Sequence, residues 1–426
     1  MAFPTRVLLC CVSAVIVLGA PAVARGDAVI DWSVQAQSTI LGPGPTAHAS
    51  AIPFAMVHGA MYDAVNSIDR RYQSYLHVPR AKRTASKDAA AATAAFRVLL
   101  SEYPTQEATL RARYDASLAL IPDGRAKRRG IAAGEAAAGA MLEARRDDGR
   151  LPAGTPYPFP LGTAPGEWRV SPPLTAVEPA WWVGRVRPFL IPNARWFLSP
   201  GPNALRSRAY ARELEEVKRL GELDSPYRTE DQTMAAIFWQ AQPIMLYGGV
   251  MRDLSARFGL STADNARMFG TVALATADAA IVCWKDKYER RFWRPIDAIR
   301  LADTDGNPRT KADPDWTPLF DPSTPTTPAL ATPAFPDHPS GHGCVSGAVV
   351  SALQAFFGRD RIAFDVSSPR FPGQPRHFER FSAVIDEVVE ARIWGGIHFR
   401  TADVQGAAIG TKVVGWERLF YFRPAH

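Results

Sequence analysis

The chain has 426 residues, of which 47% are hydrophobic and 21% are charged, and this composition is typical of a globular protein with one large core or two smaller ones. It excludes an intrinsically disordered chain. The formal net charge is +7, but the basic residues are spread along the sequence, and no aromatic and basic RNA-binding motif occurs. The charge therefore favours a small anion over nucleic acid as the ligand.

The first residues have the pattern of a secretory signal peptide. Arg6 precedes an apolar run from Val7 to Gly19, and Ala22-Val23-Ala24 supplies the small residues of a cleavage site. The alternative is a membrane anchor, but this run is short for a spanning helix, and no later apolar run reaches the roughly 18 residues that a span needs. We therefore expect cleavage after Ala24, a secreted or periplasmic protein, and no membrane span in the mature chain.

Cleavage would also remove two of the four cysteines, Cys10 and Cys11. The remaining pair, Cys283 and Cys344, could form a disulfide in an oxidising compartment. Two buried thiols are the favoured interpretation, because two cysteines are too few for a disulfide framework.

Helical patterns dominate the first part of the chain. In residues 50–69 the apolar residues Met56, Ala60 and Ala64 recur at helical spacing, and Ala-rich segments of strong helix formers follow. Gly149 lies where the last of these helices is expected to stop.

Two helical bundles are predicted from the composition along the chain. Residues 151–203 are rich in Pro, Gly and Trp, which excludes regular helix and indicates a segment that wraps over the surface. Helical patterns resume near Ala204 and again from Thr229 towards Trp293. The sequence thus predicts an all-α protein, with an N-terminal bundle over residues 25–222 and a C-terminal bundle over residues 223–426.

A long proline-rich loop leads into the first chemical motif. Residues 303–339 contain nine prolines and end in Pro339-Ser340-Gly341-His342. Ser340 is a good N-cap, and the small and apolar residues after it predict a buried helix that ends at Gly358. Free backbone N–H groups and the positive end of the helix dipole would bind an oxyanion there, and the same dipole would keep His342 neutral as an acid and base. The alternative is simple capping with a structural histidine.

The basic run around residue 290 provides cations for the same anion. Lys287, Arg291 and Arg294 recur at helical spacing, so we expect them to share one face of a helix. Pro295 disfavours helical geometry at Arg294, which would let that side chain turn towards the point that Lys287 reaches. The alternative is a solvated charged surface.

The third motif lies near the C-terminus. A stripe of valines and isoleucines leads to Arg392, and His398 follows after Gly395-Gly396. We expect this pair of glycines to break the helix, so that Arg392 and His398 converge. The alternative is a core histidine beside a paired arginine.

Together the three motifs resemble the signature shared by vanadium-dependent haloperoxidases and the type 2 phosphatidic-acid-phosphatase superfamily. The pattern is Lys287, six residues and Arg294-Pro295; then the Pro-Ser-Gly-His motif; then Arg392, five residues and His398. The likeness is strong over residues 275–415 and weaker in the N-terminal half, and it points to the soluble bacterial haloperoxidase-like branch.

This resemblance implies two four-helix bundles with the anion site in the second bundle. Vanadate or phosphate would be held by the matching residues: Lys287, Arg294, Ser340, Gly341 and Arg392. His398 would bind the vanadium in a peroxidase or become phosphorylated in a phosphatase, while His342 would move protons. The partners of a peroxidase would be hydrogen peroxide, halide and a small organic acceptor.

Several positions favour the peroxidase over a secreted acid phosphatase. Phosphatases of this superfamily usually carry Ser before the third-motif arginine and an orienting Asp four residues after the histidine. Here Ala391 and Ala402 occupy these positions, and Asp403 comes one residue late, which should misdirect its carboxylate by about 100° of helix rotation.

Trp284 and Phe335 occupy places where chloride-oxidising members carry aromatic residues of the halide pocket, although plain core packing would also explain them. A third alternative, a bundle that binds an anion without chemistry, is disfavoured because the whole signature is present.

Overall fold

The computed structural model describes residues 27–44, 46–152, 155–321, 323 and 331–425. The predicted signal peptide, with Cys10 and Cys11, lies outside them. Within them the regular structure consists of thirteen α-helices and one short antiparallel ribbon, together with a few 3-10 turns. The all-α prediction is therefore confirmed.

Five helices form the N-terminal part, and α3 and α5 pack especially closely. A side chain at Gly130 or Gly134 of α5 would lie within 2.5 Å of a backbone carbonyl of the α3 region, so glycine is required there. The last helix ends at Ala144, earlier than the stop expected at Gly149, because the buried Arg145 leaves helical geometry. The helices are α1 (Ala28–Leu41), α2 (Ala47–Asp69), α3 (Lys87–Glu102), α4 (Glu107–Ala119) and α5 (Arg125–Ala144).

The Pro- and Trp-rich segment has no α-helix in its described residues and packs along the protein, as its composition predicts. It contains only short 3-10 turns, at Trp181–Arg185 and Ala194–Phe197. Its anchor is Asp278, a buried carboxylate that accepts the backbone N–H groups of residues 189–191 at 2.6 to 2.9 Å.

Eight helices form the C-terminal part. The helical region from Thr229 is divided into three helices, and the last ends at Arg290 rather than continuing to Trp293. The elements are α6 (Arg208–Leu220), α7 (Glu230–Phe238), α8 (Pro243–Phe258), α9 (Thr262–Arg290), α10 (Pro295–Arg300), α11 (Gly341–Phe357), β1 (Phe364–Val366), β2 (Arg376–Phe378), α12 (Ser382–Trp394) and α13 (Arg400–Phe420). The β1 and β2 strands pair antiparallel, with Phe364 opposite Phe378.

Helix α9 is the centre of the molecule and packs against α2, α11 and α13. It is the one helix in the described part of the chain that is long and apolar enough to cross a membrane, but 94% of its most apolar window is buried inside the protein. Helix α9 is therefore a buried core helix. One hydrophobic core contains residues from Val29 to Phe422, so it draws on both halves, and a domain boundary at residues 222–223 stays a prediction.

Cys283 of α9 and Cys344 of α11 are both buried free thiols. The favoured interpretation of this pair is confirmed.

Candidate functional site

The end of α9 and the start of α10 supply two buried cations. Lys287 is fully buried in the last turn of α9, and its Nζ donates to the carbonyls of Pro336 and Asp337 at 2.9 and 2.8 Å. Arg294 caps α10 in the extended geometry that Pro295 imposes, with ψ at 156°. Its guanidinium donates to the carbonyl of Ile397 at 2.7 Å and lies 3.3 Å from Nε2 of His398.

Arg291 does not belong to this group, which corrects the expectation that three cations share one helical face. The helix ends at Arg290, and Arg291 takes the left-handed conformation, with φ at 47°. The change of direction carries its guanidinium to the ring of Phe159, 6.0 Å away.

The Pro-Ser-Gly-His motif forms the N-terminus of α11, as predicted. Ser340 is the N-cap, and its hydroxyl accepts the N–H of Gly343 at 3.3 Å; the helix ends before Gly358. Gly341 leaves little room for a side chain, because a Cβ there would lie 3.0 Å from the indole of Trp284. His342 follows in the first turn, with no hydrogen-bond partner for its Nε2 among the described residues.

The glycine pair ends helix α12 before α13 begins, and Arg392 and His398 line the same cavity. Gly396 has a φ of 71°, and a Cβ there would lie 2.5 Å from the carbonyl oxygen of Gly221. Only glycine therefore fits this corner without strain. The predicted break and convergence are confirmed.

Asp337 is the partner of His398, and no motif in the sequence indicated this pair. Its Oδ1 lies 2.8 Å from Nδ1 of His398, and both side chains are buried. The carboxylate that orients His398 therefore comes from the proline-rich loop instead of α13. Asp403 is buried near Ser340 and Arg392 and makes no hydrogen bond to His398, as its register predicts.

Several buried nitrogen atoms of this site have no hydrogen-bond partner among the described residues. They are Nη2 of Arg294, Nε and Nη1 of Arg392, and Nε2 of His342. Buried cations without acceptors are costly, so their concentration at a helix N-terminus fits a bound anion. By contrast, no cluster of three His, Cys, Asp or Glu side chains that could hold a metal cation occurs in the described ranges.

The pKa values follow from burial among these positive charges. Burial lowers the pKa of Lys287 to about 8 and those of Arg294 and Arg392 to about 10. Burial, then the charges of Arg294 and Lys287, lowers the pKa of His398 well below its ordinary value. Burial and the charge of Arg392 also lower the pKa of His342 well below its ordinary value, although part of the His342 ring lines the cavity. Both imidazoles are therefore neutral at neutral pH in the absence of an anion.

A cavity of about 890 Å³ opens onto the site. Gly341, His342, Arg392 and His398 line it, whereas Lys287, Arg294 and Ser340 are fully buried beside these residues.

Trp284 and Phe335 line the same cavity with ring centroids 5.3 Å apart, so the structure brings both predicted pocket residues to the anion site. A third ring, His48 of α2, stacks on Trp284 and is paired with Glu178. No motif indicated these two residues, because they contact the site only through the tertiary fold.

Comparison with known proteins gives one family and several relatives. Residues 267–421 match the family described as the VCPO second helical-bundle domain. The chain is 29% identical to the vanadium chloroperoxidase of Curvularia inaequalis over an alignment of 230 positions, which covers 42% of this chain and 37% of that relative. The match thus spans little more than a third of the relative's length.

Two crystal structures share the fold along almost the whole chain. One is a bacterial vanadium-dependent iodoperoxidase, with a TM-score of 0.76 and 24% identity, covering 94% of this chain and 97% of the other. The second is an apo-type bacterial vanadium-dependent chloroperoxidase, with a TM-score of 0.68 and 17% identity, covering 94% and 95% of the two chains. At these identities the likeness shows a common helical fold.

Proposed function

We propose that the chain belongs to the superfamily that unites vanadium-dependent haloperoxidases with type 2 phosphatidic-acid phosphatases, and that it is a vanadate-dependent haloperoxidase. In this proposal it oxidises halide with hydrogen peroxide to hypohalous acid. The observation that supports it best is the cluster of buried donors without partners beside an aromatic cavity.

These residues fit vanadate, which is a tetrahedral oxyanion. Lys287, Arg294 and Arg392 would balance its charge, and Ser340 with the N–H of Gly341 would bind its oxygens at the N-terminus of α11. His398 would be the ligand of vanadium, because Asp337 binds its Nδ1, and the neighbour of its Nε2 is the guanidinium of Arg294, which belongs to the same anion site. When bound, vanadate activates peroxide towards attack by halide without changing its own oxidation state. Phosphate has the same shape and would occupy the same site.

His342 would move protons in this reaction. Its neutral ring can accept a proton at Nε2, which no described residue occupies, and can then return it. Trp284 and Phe335 would keep water away from the halide and give it a polarisable surface.

One observation favours phosphatase activity as a second candidate. The Asp337–His398 pair is a buried carboxylate–imidazole dyad, an arrangement that suits a nucleophilic histidine. Nε2 would attack the phosphorus of an ester as the P–O bond to the alcohol breaks, and His342, protonated when the anionic ester binds, would give the leaving alcohol its proton. Water would then attack the phosphohistidine, which releases phosphate from His398 and returns a proton to His342.

The two functions are separated by parallel assays of the purified protein. One assay supplies vanadate, hydrogen peroxide and bromide or chloride and measures halogenation of a diketone dye; the other measures hydrolysis of a phosphate ester without vanadate. Turnover of the ester alone would contradict the peroxidase proposal. His398→Ala should abolish either activity, whereas His342→Ala should keep part of the oxyanion affinity.

A further inference from the structure

His48 contributes a third ring to the wall of the cavity, from the opposite half of the chain. Its imidazole stacks on the indole of Trp284, with centroids 3.6 Å apart and planes 18° from parallel. It meets the ring of Phe335 edge to face at 5.9 Å. Nothing in the three motifs requires a histidine here, yet it contacts both aromatic residues of the proposed halide pocket.

Glu178 fixes the orientation of this ring. Its Oε2 lies 3.0 Å from Nε2 of His48, and both side chains are buried. Its Oε1 accepts the N–H of Ala180 at 3.0 Å, and its own backbone N–H donates to the carbonyl of Ala334 at 3.1 Å. The dyad is therefore held by the Pro- and Trp-rich segment and tied to the loop that carries Phe335.

Glu178 is ionised although its carboxylate is buried. Burial alone would raise the pKa of Glu178, but the charge and hydrogen bond of His48 outweigh it and lower that pKa below its ordinary value. An ionised carboxylate can only accept a hydrogen bond, so Nε2 of His48 donates to Glu178, and the ring that also carries a proton on Nδ1 is the imidazolium.

The second ring nitrogen of His48, Nδ1, is available to bind a ligand. Nε2 of His48 is used by Glu178, with Thr46 at 3.2 Å, and Nδ1 makes no hydrogen bond with any residue of the described ranges. Because the ring lines the cavity, a protonated Nδ1 offers a charged N–H donor there. The amine of Lys287, 5.6 Å from the Trp284 ring centre, adds positive charge behind the same wall.

We propose that His48, oriented by Glu178, binds the halide beside Trp284 and Phe335 through its Nδ1–H. A halide is a small, polarisable anion, so a charged N–H donor flanked by aromatic rings suits it. This inference rests on the proposed haloperoxidase function and deepens it, because it adds a residue of the N-terminal half to the halide site.

Two variants of the full chain test the proposal. His48→Gln keeps an amide that can bond to Glu178 but removes the charged donor, and Glu178→Gln keeps the shape of the dyad but removes its negative charge. Bromide binding to the vanadate-free protein is measured by bromide NMR line broadening, and KM and kcat for bromide are measured with vanadate. We expect bromide affinity to fall ~10-fold in His48→Gln, with a matching rise in KM and little change in kcat, because a hydrogen bond to a charged group is lost.

His377→Gln is the matched control. His377 is also a histidine between carboxylates, Asp365 and Glu379, but it is exposed on β2 and away from the cavity. Its replacement should change neither bromide affinity nor KM.

The outcomes distinguish this inference from the proposed function. Unchanged bromide affinity and KM in His48→Gln would overturn the role of His48, while halogenation by both proteins would leave the haloperoxidase proposal intact. A wild-type protein that binds vanadate but oxidises no halide would overturn the proposed function itself. If His48→Gln also loses vanadate affinity, Glu178→Gln decides, and unchanged bromide affinity in that variant overturns the inference.

Discussion

Lys287 is an amine held inside the protein among other cations, and this makes anion binding sensitive to alkaline pH. Burial, with a contribution from the charge of Arg294, lowers its pKa to about 8 in the ligand-free protein. A bound anion favours the charged amine and raises that pKa, so binding above pH 8 takes up a proton. Anion affinity should therefore decrease as pH rises through that value.

We expect phosphate affinity, measured by titration calorimetry, to fall towards ~10-fold for each pH unit above about 8. Lys287→Gln should bind more weakly and show a flatter pH dependence. Lys285→Gln is the control, because Lys285 is partly exposed on the same helix and pairs with Glu289 instead of facing the site. An equal slope in wild type and Lys287→Gln would contradict the assignment.

Asp337 is a positioning residue for His398, and its replacement should change which ring nitrogen carries the proton. Burial raises the pKa of Asp337 to about 7, and above that pH the ionised carboxylate accepts from Nδ1 of His398. Asp337→Asn also offers an N–H group, so the preference for the Nδ1-protonated form should be lost. We expect turnover in either assay to fall ~100-fold or more, as when the orienting carboxylate of a catalytic histidine is removed.

Nitrogen NMR of His398 provides a readout that a merely structural effect would not change. The wild-type ring should be protonated at Nδ1, and the Asp337→Asn ring should be a mixture. Asp403→Asn is the control, since Asp403 is equally buried but not bonded to His398. The assignment is wrong if both variants keep the wild-type spectrum.

At the scale of elements, the corner between α12 and α13 depends on the conformation of Gly396. Its φ of 71° is left-handed, and a Cβ would meet Gly221 at 2.5 Å and Pro318 at 2.7 Å. Gly373 has a similar φ of 76° but no atom within 4 Å of a Cβ. A side chain at either glycine would therefore strain the backbone equally, but only at Gly396 would it also clash with neighbouring atoms.

We expect Gly373→Ala to lower the free energy of unfolding by about 1–2 kcal/mol, the cost of left-handed backbone. Gly396→Ala should cost about 1–3 kcal/mol more, because the methyl group overpacks the corner. Denaturant unfolding of both variants measures the difference, and equal losses would show that space at Gly396 is not limiting.

Local sequence rules explain the elements that carry the anion site. Ser340 caps α11, Pro295 extends Arg294, and Gly395-Gly396 ends α12, all as short-range preferences predict. Arg291 was misplaced because a non-glycine residue rarely takes positive φ, so nothing in the pattern marked the end of α9 there.

The missed residues meet their partners only through the tertiary fold. Asp337 and His398 are 61 positions apart, and His48 and Glu178 are 130 positions apart. Periodicity and motif spacing describe neighbours along one element and contain no information on such pairs.

At the scale of the whole molecule, the cavity wall requires both halves of the chain. His48 and Glu178 precede residues 267–421, the part that matches the family. Domains joined by a shared core and a shared cavity tend to fold together, so the matched segment alone would lack one wall of the proposed halide pocket.

We also propose that the protein is exported and cleaved after Ala24. Expression in a bacterial host with an intact export pathway should yield a mature chain that begins at Arg25, as measured by intact mass and N-terminal sequencing. Ala24→Leu should block cleavage, because the position before the cut accepts only small residues. A wild-type product that retains Met1 would contradict this proposal.

The burial of Cys283 and Cys344 has a consequence for the lifetime of the proposed haloperoxidase. Hypohalous acid destroys exposed sulfur, and thiolates react faster than thiols. Both sulfur atoms are enclosed, and burial, with the neighbouring Cys283, raises the pKa of the Cys344 thiol well above its ordinary value. The native protein should therefore not react with a thiol reagent until it is unfolded. Repeated turnover should not inactivate it through oxidation of these two side chains.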